Sequence, residues 1–221
     1  MAYISDRVKR LLRLRFAVLY PMGFYLAVFT VPDDHFALTG MVIMLAGMAV
    51  RVWSNGYAIK LDRLTTSGPY AFVRNPLYLG TALIILGVVF LLGIFLLGTV
   101  FFIVMAAVYT RTIRNEQKLL AEKFGGAYLD YLAKVPAMWP ARSPYTAGEK
   151  WPFSWQRVWH SREHKVFIWA VIIVIGFYIK KECMSSGTGF SAKALGLAAL
   201  AAGFGLLDVL GEFVRSRLKK G

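Results

Sequence analysis

The stretch SGPYAFVRNPLYLG, Ser67 to Gly80, gathers residues whose types and order suit chemistry. Ser67-Gly68-Pro69 is turn chemistry. Asn75 followed by Pro76 is an N-cap and first-turn pair that announces a helix. A helix N-terminus presents free N–H groups and the positive end of a dipole, a setting for a carboxylate or another anion. Arg74 strengthens that field, and Glu116, further along, supplies the opposite charge. Together they suit a zwitterion at a membrane surface. The plainer account makes Asn75 a cap and Tyr70 and Tyr78 interface aromatics.

Other residues carry weaker signals. Arg51 sits inside an apolar segment, where an ionisable side chain faces a cavity, a partner or the interface, or snorkels to the surface. Trp53, Ser54 and Asn55 add polarity at the same end. His160 and His164 are four apart, but no third ligand lies close in sequence, so no metal site is expected. Trp151, Trp155 and Trp159 are also four apart, on one face of a possible helix, and read as headgroup-level anchors. The fragment GFGLLD, Gly203 to Asp208, lies in an apolar run with no preceding strand and is no dinucleotide fingerprint. Cys183 is the single cysteine, which excludes an internal disulfide and a thiolate metal cage.

These residues need elements to position them, and the composition says which kind. The chain is 57% hydrophobic and only 17% charged, with mean hydropathy +0.54. That predicts an all-α polytopic integral membrane protein. A spanning helix needs roughly 20 mostly apolar residues. Candidate spans are Leu14–Val31, Phe36–Ile59, Lys165–Ile179 with its flanks, and Ala192–Phe213. Leu77–Tyr109 reads as a tight helical hairpin turning near Gly87–Gly93. This makes about six spans. After the hairpin a surface helix carries Ile113, Leu119, Leu120 and Phe124 and ends or bends at Gly125-Gly126. A second short helix with Tyr128, Leu129 and Leu132 precedes Pro136, and Ser143–Lys150 is linker-like. The division expected is 1–50 N-terminal membrane helices, 51–140 core, 141–163 interfacial linker and 164–221 C-terminal membrane helices.

The net charge of +14 marks a membrane face rather than a nucleic-acid partner. On the six-span layout Arg7–Arg15, Lys60, Arg63, Arg74 and the basic residues of 111–165 and 215–220 share one side. Lys180, Lys181 and Lys193 share the other with Asp33, Asp34 and Glu182. Both termini are therefore expected in the cytoplasm, with the inner membrane as the site if the source is prokaryotic. The first span reads as a retained helix rather than a signal peptide.

At these residues the chain resembles the isoprenylcysteine carboxyl methyltransferases and related membrane phospholipid methyltransferases. GPYAFVRNPLYLG is similar to their Gly-x-Tyr…Arg-His-Pro-x-Tyr signature. Their second block is a glutamate pair, then Phe-Gly-x-x-Tyr-x-x-Tyr, Val-Pro and a later Pro. Here it reads Glu116-Gln117, Phe124-Gly125, Tyr128, Tyr131, Val135-Pro136 and Pro140. The resemblance covers roughly Arg51 to Pro140. It departs at Asn75, where the family has histidine, and at Gln117, where it has a second glutamate. Asparagine hydrogen-bonds but does not titrate, so proton transfer at this position is excluded.

The resemblance implies methyl transfer from S-adenosylmethionine, bound at the cytosolic membrane edge, to a lipophilic small-molecule or lipid-linked acceptor. Carried over by position, cofactor contacts are Asn55, Leu64, Thr65, Tyr70, Asn75, Pro76, Leu77, Tyr78 and Glu116, with Glu116 toward the cofactor's amino group and the stretch Asp62–Thr65 as a whole contributing. The family's substrate-facing arginine falls at Thr112, so Arg111 and Arg114, with Arg51, are the substrate-side candidates. No catalytic residue is singled out. An in-line displacement mainly demands alignment, and for an acceptor that must lose a proton the motif supplies no obvious base apart from water, Tyr78 or a carboxylate. Carboxylate, amine and thiol acceptors remain open. Membrane lipids are expected partners; no obligate protein partner is. The alternatives are a reductase related to the membrane sterol reductases, using a nicotinamide cofactor, and a non-catalytic scaffold or small transporter.

Overall fold

The computed structural model describes residues 23–26, 28–59, 63–186 and 191–218, with side chains to residue 212. The described residues are all α: seven helices beyond residue 36 and one 3-10 turn. The expected first span lies mostly outside them, as do Lys60, Asp62 and the basic residues of 7–15 and 219–220. Residues 23–26 and 28–29 are helical.

Helix α1, Ala37–Tyr57, begins after a turn in which the Asp33 carboxylate accepts the N–H groups of His35 (2.9 Å) and Phe36 (3.3 Å). Helix α2, Pro76–Leu92, opens with proline at its first turn and closes at Gly93, whose φ of 64° is the left-handed conformation a terminating glycine supplies. The chain reverses there, and α3, Phe95–Phe124, returns. The hairpin expected between residues 87 and 93 therefore exists, with its turn at the last of these glycines. At 30 residues α3 is about 45 Å long, well beyond a hydrocarbon core of about 30 Å. The surface helix expected after residue 111 is thus the projecting end of α3. It stops at Gly125 (φ 54°), and α4, Gly126–Lys134, follows.

Helix α5, Trp155–Ser161, is capped by the Ser154 hydroxyl and ends at Arg162, whose φ is 62°. Helices α6, Glu163–Ser186, and α7, Ala192–Leu218, complete the chain. Among the described residues three helices are long and apolar enough to span a membrane: Ala37–Tyr57, Phe95–Phe124 and Ala192–Glu212. Six are not found. Helix α2 has 17 residues. Lys165 at one end and Lys180, Lys181 and Glu182 at the other confine the uncharged part of α6 to residues 166–179.

Helices α1 and α2 pack most intimately, and glycines are the reason. A methyl group on Gly40 would lie 2.6 Å from the Gly87 carbonyl, and one on Gly87 equally close to the Gly40 carbonyl. Gly47 and Gly80 face each other the same way, at 2.7 and 2.8 Å. These two antiparallel pairs let the backbones meet, and Ala37, Met44, Met48, Leu91, Leu92 and Phe177 of α6 fill the core beside them. The boundary drawn at residue 50 falls inside α1.

Candidate functional site

A cavity of about 630 Å³ opens where α1, α2, α3 and α4 meet the loop between α1 and α2. That is the ordinary size for a small-molecule or cofactor site. Its wall brings together residues far apart in sequence: Leu64, Thr65, Tyr70, Arg74, Asn75, Pro76, Leu77 and Tyr78 from the first motif region, and Glu116, Tyr128 and Tyr131 from the second. Eight of the nine expected cofactor contacts thus share one cavity. Asn55 does not join them. It is buried with its amide donating to the Arg51 carbonyl of its own helix (2.9 Å).

The first motif is held from two directions. Proline at the start of α2 leaves the Asn75 carbonyl to accept the N–H groups of Tyr78 and Leu79, both at 3.1 Å. The Asn75 side chain does not cap the helix, contrary to expectation. Its Nδ2 donates to the Ala137 carbonyl (3.0 Å), which also accepts the Asn75 backbone N–H (3.1 Å). The residue at the family's histidine position therefore ties the helix start to the segment after α4.

Opposite charges face the cavity. The Tyr78 hydroxyl donates to Glu116 Oε1 (2.8 Å) and orients that carboxylate. Arg74 contributes a guanidinium whose Nε and Nη1 are buried without a hydrogen-bond partner among the described residues. Buried donors of a charged group are costly to leave unpaired, so they mark a place for an anion. The Tyr131 hydroxyl donates to the Tyr70 carbonyl (2.6 Å), which fixes the 3-10 turn Gly68–Ala71 against α4. Burial pushes the phenols of Tyr70 and Tyr131 far up. Tyr128 is also raised by burial, against an opposing hydrogen bond from Arg74. These three phenols stay protonated near neutrality, so they act there as donors and walls, not as bases.

Arg51 lines the cavity but is already engaged. Its Nε and Nη2 grip both oxygens of Glu163 at 3.0 and 2.6 Å, and its Nη1 donates to Thr81 Oγ1 at 2.6 Å. Glu163 is buried at the start of α6 and ties that helix to α1. Arg111 and Arg114 are exposed on α3 and lie outside the cavity wall. Thr112 is turned inward instead, bonded to the Val108 carbonyl (3.0 Å), so the helix presents threonine where an arginine would face a substrate.

The tryptophan and histidine pairs resolve differently. Only Trp155 and Trp159 lie on α5, both exposed; Trp151 precedes it outside any helix. The left-handed Arg162 separates His160 from His164, so the two imidazoles do not share a helix face. His164 stacks on Trp159 at 4.5 Å beside an apolar groove between α1, α5 and α6.

Thr81, Tyr109 and the buried anchor Glu163 were not selected as site residues from the sequence, whereas Arg63, within the carried-over stretch Asp62–Thr65, lines the cavity. Thr81 and Tyr109 sit in apolar runs, and Glu163 lies far from either motif.

Comparisons with known proteins bear on the same region. The phospholipid methyltransferase family model matches residues 36–127. The cobalt-zinc-cadmium resistance protein CzcN of Cupriavidus metallidurans is 32% identical over 114 residues, 51% of this chain and 52% of that protein. The protein-S-isoprenylcysteine O-methyltransferase of Schizosaccharomyces pombe is 38% identical over 74 residues, 34% and 31% of the two chains. The nickel-cobalt-cadmium resistance protein NccN of Alcaligenes xylosoxydans xylosoxydans is 30% identical over 106 residues, 47% and 49%. The chain thus spans about half the length, or less, of these curated relatives. No solved structure matches. Helices α1 to α3, with Arg74 and Glu116 of the cavity, fall inside the segment that matches the phospholipid methyltransferase family model.

Proposed function

We propose that the protein binds S-adenosylmethionine in the cavity and transfers its methyl group to a lipophilic or lipid-linked acceptor at the cytosolic membrane edge. One observation carries the reading: Arg74, with two unpartnered buried nitrogens, and Glu116, held by Tyr78, bring opposite charges to one cavity. A zwitterionic amino-acid moiety fits that pair, its carboxylate on Arg74 and its ammonium on Glu116. Leu64, Leu77, Ile113 and Leu120 supply apolar wall for the remainder. When bound, the sulfonium supplies the electrophilic methyl; the chain's residues hold it in line and exclude water.

With the phenols of Tyr70, Tyr128 and Tyr131 kept protonated by burial, the site favours an acceptor that is already anionic or a neutral nucleophile over one that must give up a proton. Two relatives are named for metal resistance. Among the described residues the cavity is lined by phenols, guanidinium groups, the Asn75 and Gln117 amides, the Thr65 and Thr81 hydroxyls and one carboxylate, Glu116, with no imidazole or thiolate, which is a poor set for a transition-metal cation. Methyl transfer is therefore the chemistry proposed here. We place both termini in the cytoplasm, with six spans: the expected first span, Leu14–Val31, and α2 and α6 crossing beside the three long apolar helices. The excess of basic residues on the cavity side supports this layout.

The test is isothermal titration of the detergent-solubilised protein with S-adenosylmethionine and, separately, NADPH. The wild type is expected to bind the former, and Glu116→Ala and Arg74→Ala to bind it at least about tenfold more weakly, the loss of a charge-assisted hydrogen bond. Binding of NADPH in its place would overturn the assignment in favour of a reductase.

A further inference from the structure

Beyond the matched segment, residues 136–154 run as an irregular strap along the loop that lines the cavity. The first two bonds run in step with the loop, and from Ala141 on the partners descend. The Pro136 carbonyl accepts the Arg74 N–H (2.9 Å), and Ala137 accepts that of Asn75 (3.1 Å). Ala141 donates to Phe72 (2.8 Å), Tyr145 to Ala71 (2.9 Å) and Ser154 to Gly56 (3.0 Å). At the centre the Ser67 hydroxyl donates to the Glu149 carbonyl (2.9 Å) and accepts the Trp151 N–H (2.8 Å). The Thr66 hydroxyl donates to the same carbonyl (3.2 Å).

Thr66 and Ser67 are buried, so these bonds form without competition from water. Gly148 crosses so closely that a methyl group on it would sit 2.1 Å from Thr66 Oγ1 and 2.8 Å from Thr66 Cβ. Only glycine lets the strap lie there. Arg63, on the cavity wall, rests over the Trp151 ring at 4.8 Å and pairs with Glu149 at 3.4 Å. No residue of the strap lines the cavity; its contacts reach it through the loop.

We infer that Ser67 and Gly148 are positioning residues: their clasp holds residues 63–75 in the shape that forms the cofactor site. The inference rests on the proposed function of the cavity. Loop shape and ligand contacts are then linked, and linkage is reciprocal. A bound ligand must tighten the strap by the same factor that the strap tightens the ligand.

The experiment titrates S-adenosylhomocysteine into the detergent-solubilised full chain and follows amide exchange at Trp151, Tyr145 and Ala141. Ser67→Ala and Gly148→Ala are expected to bind about tenfold more weakly, the loss of one to two buried hydrogen bonds. Gly126→Ala, whose added methyl meets nothing within 4 Å, is expected to match the wild type. The ligand should slow exchange at Trp151 in the wild type and in Gly126→Ala, but not in Gly148→Ala. A purely structural strap would show no ligand-dependent protection. Unchanged affinity in both clasp variants, or no protection at Trp151 in the wild type, overturns the inference and leaves the cofactor reading standing. If either variant fails to fold, protection in the wild type decides alone. A wild type that does not bind overturns the cofactor reading and this inference with it.

Discussion

At the scale of single residues, the second motif block works through its tyrosines as much as its glutamate. The Tyr131 hydroxyl reaches the Tyr70 carbonyl across the site at 2.6 Å. Tyr131→Phe is expected to lower stability by about 1 kcal/mol, one net hydrogen bond, read as a shift of the unfolding midpoint in detergent. Raised phenol pKa values also have a pH consequence. A group whose folded pKa lies above its unfolded value stabilises fully below the unfolded value, and that contribution is lost as pH rises. For Tyr70, Tyr128 and Tyr131 the loss begins near the ordinary tyrosine pKa of about 10. Tyrosinate absorbance should therefore appear in two phases, exposed tyrosines first and these together with unfolding. The sequence made most of these residues legible because the motifs are contiguous: Tyr70, Asn75–Tyr78, Glu116, Tyr128 and Tyr131 could be quoted in order. It did not reveal where a side chain points. Asn75 looked like a cap, but the Ala137 carbonyl offers its amide a better partner.

At the scale of elements, two contacts decide how the site is framed. The Arg51–Glu163 pair joins α1, inside the matched segment, to α6, outside it. Glu163→Ala should cost about 2 kcal/mol, discounted from the value for a fully buried pair because the Arg51 side chain is 19% exposed. Replacing both partners, Arg51→Met with Glu163→Leu, should recover most of that loss. Denaturation of the three variants side by side checks this. The second contact is the glycine seam of α1 and α2. Gly47→Ala places a methyl group 2.7 Å from the Gly80 carbonyl and is expected to cost about 2–3 kcal/mol by overpacking, again visible in the unfolding midpoint. The helices and the hairpin turn were legible from apolar runs and glycines. The pairing of Gly40 with Gly87 and Gly47 with Gly80 was not, because nothing local in a sequence states which glycine faces which. The strap was hidden for a related reason: Ser143–Lys150 has linker composition, and its order comes from partners some eighty residues away.

At the scale of the whole molecule, the proposed orientation makes a direct prediction. In a Cys183→Ala background, cysteine at Thr146 should react with an impermeant maleimide only from the cytosolic side, and cysteine at Asp34 only from the other. The reverse pattern would invert the charge argument. Asp34 belongs to a latch at the end of α1 away from the cavity, in which Lys181 pairs with its carboxylate and donates to the Pro32 carbonyl (3.0 Å), and Lys180 donates to the Thr30 carbonyl (2.8 Å). The glycine seam runs between that latch and the cavity, and its mechanical meaning is a ratchet with one tooth. Sliding α2 along α1 by a turn, about 5.4 Å, would bring side chains such as Met44 or Ile84 to crossings that have room only for hydrogen. The two helices are consequently forbidden to move as pistons. The breathing that admits a ligand to the cavity then falls to the parts of its wall outside the seam, the loop with its strap and α3 and α4, while the opposite end of the α1–α2 pair stays still.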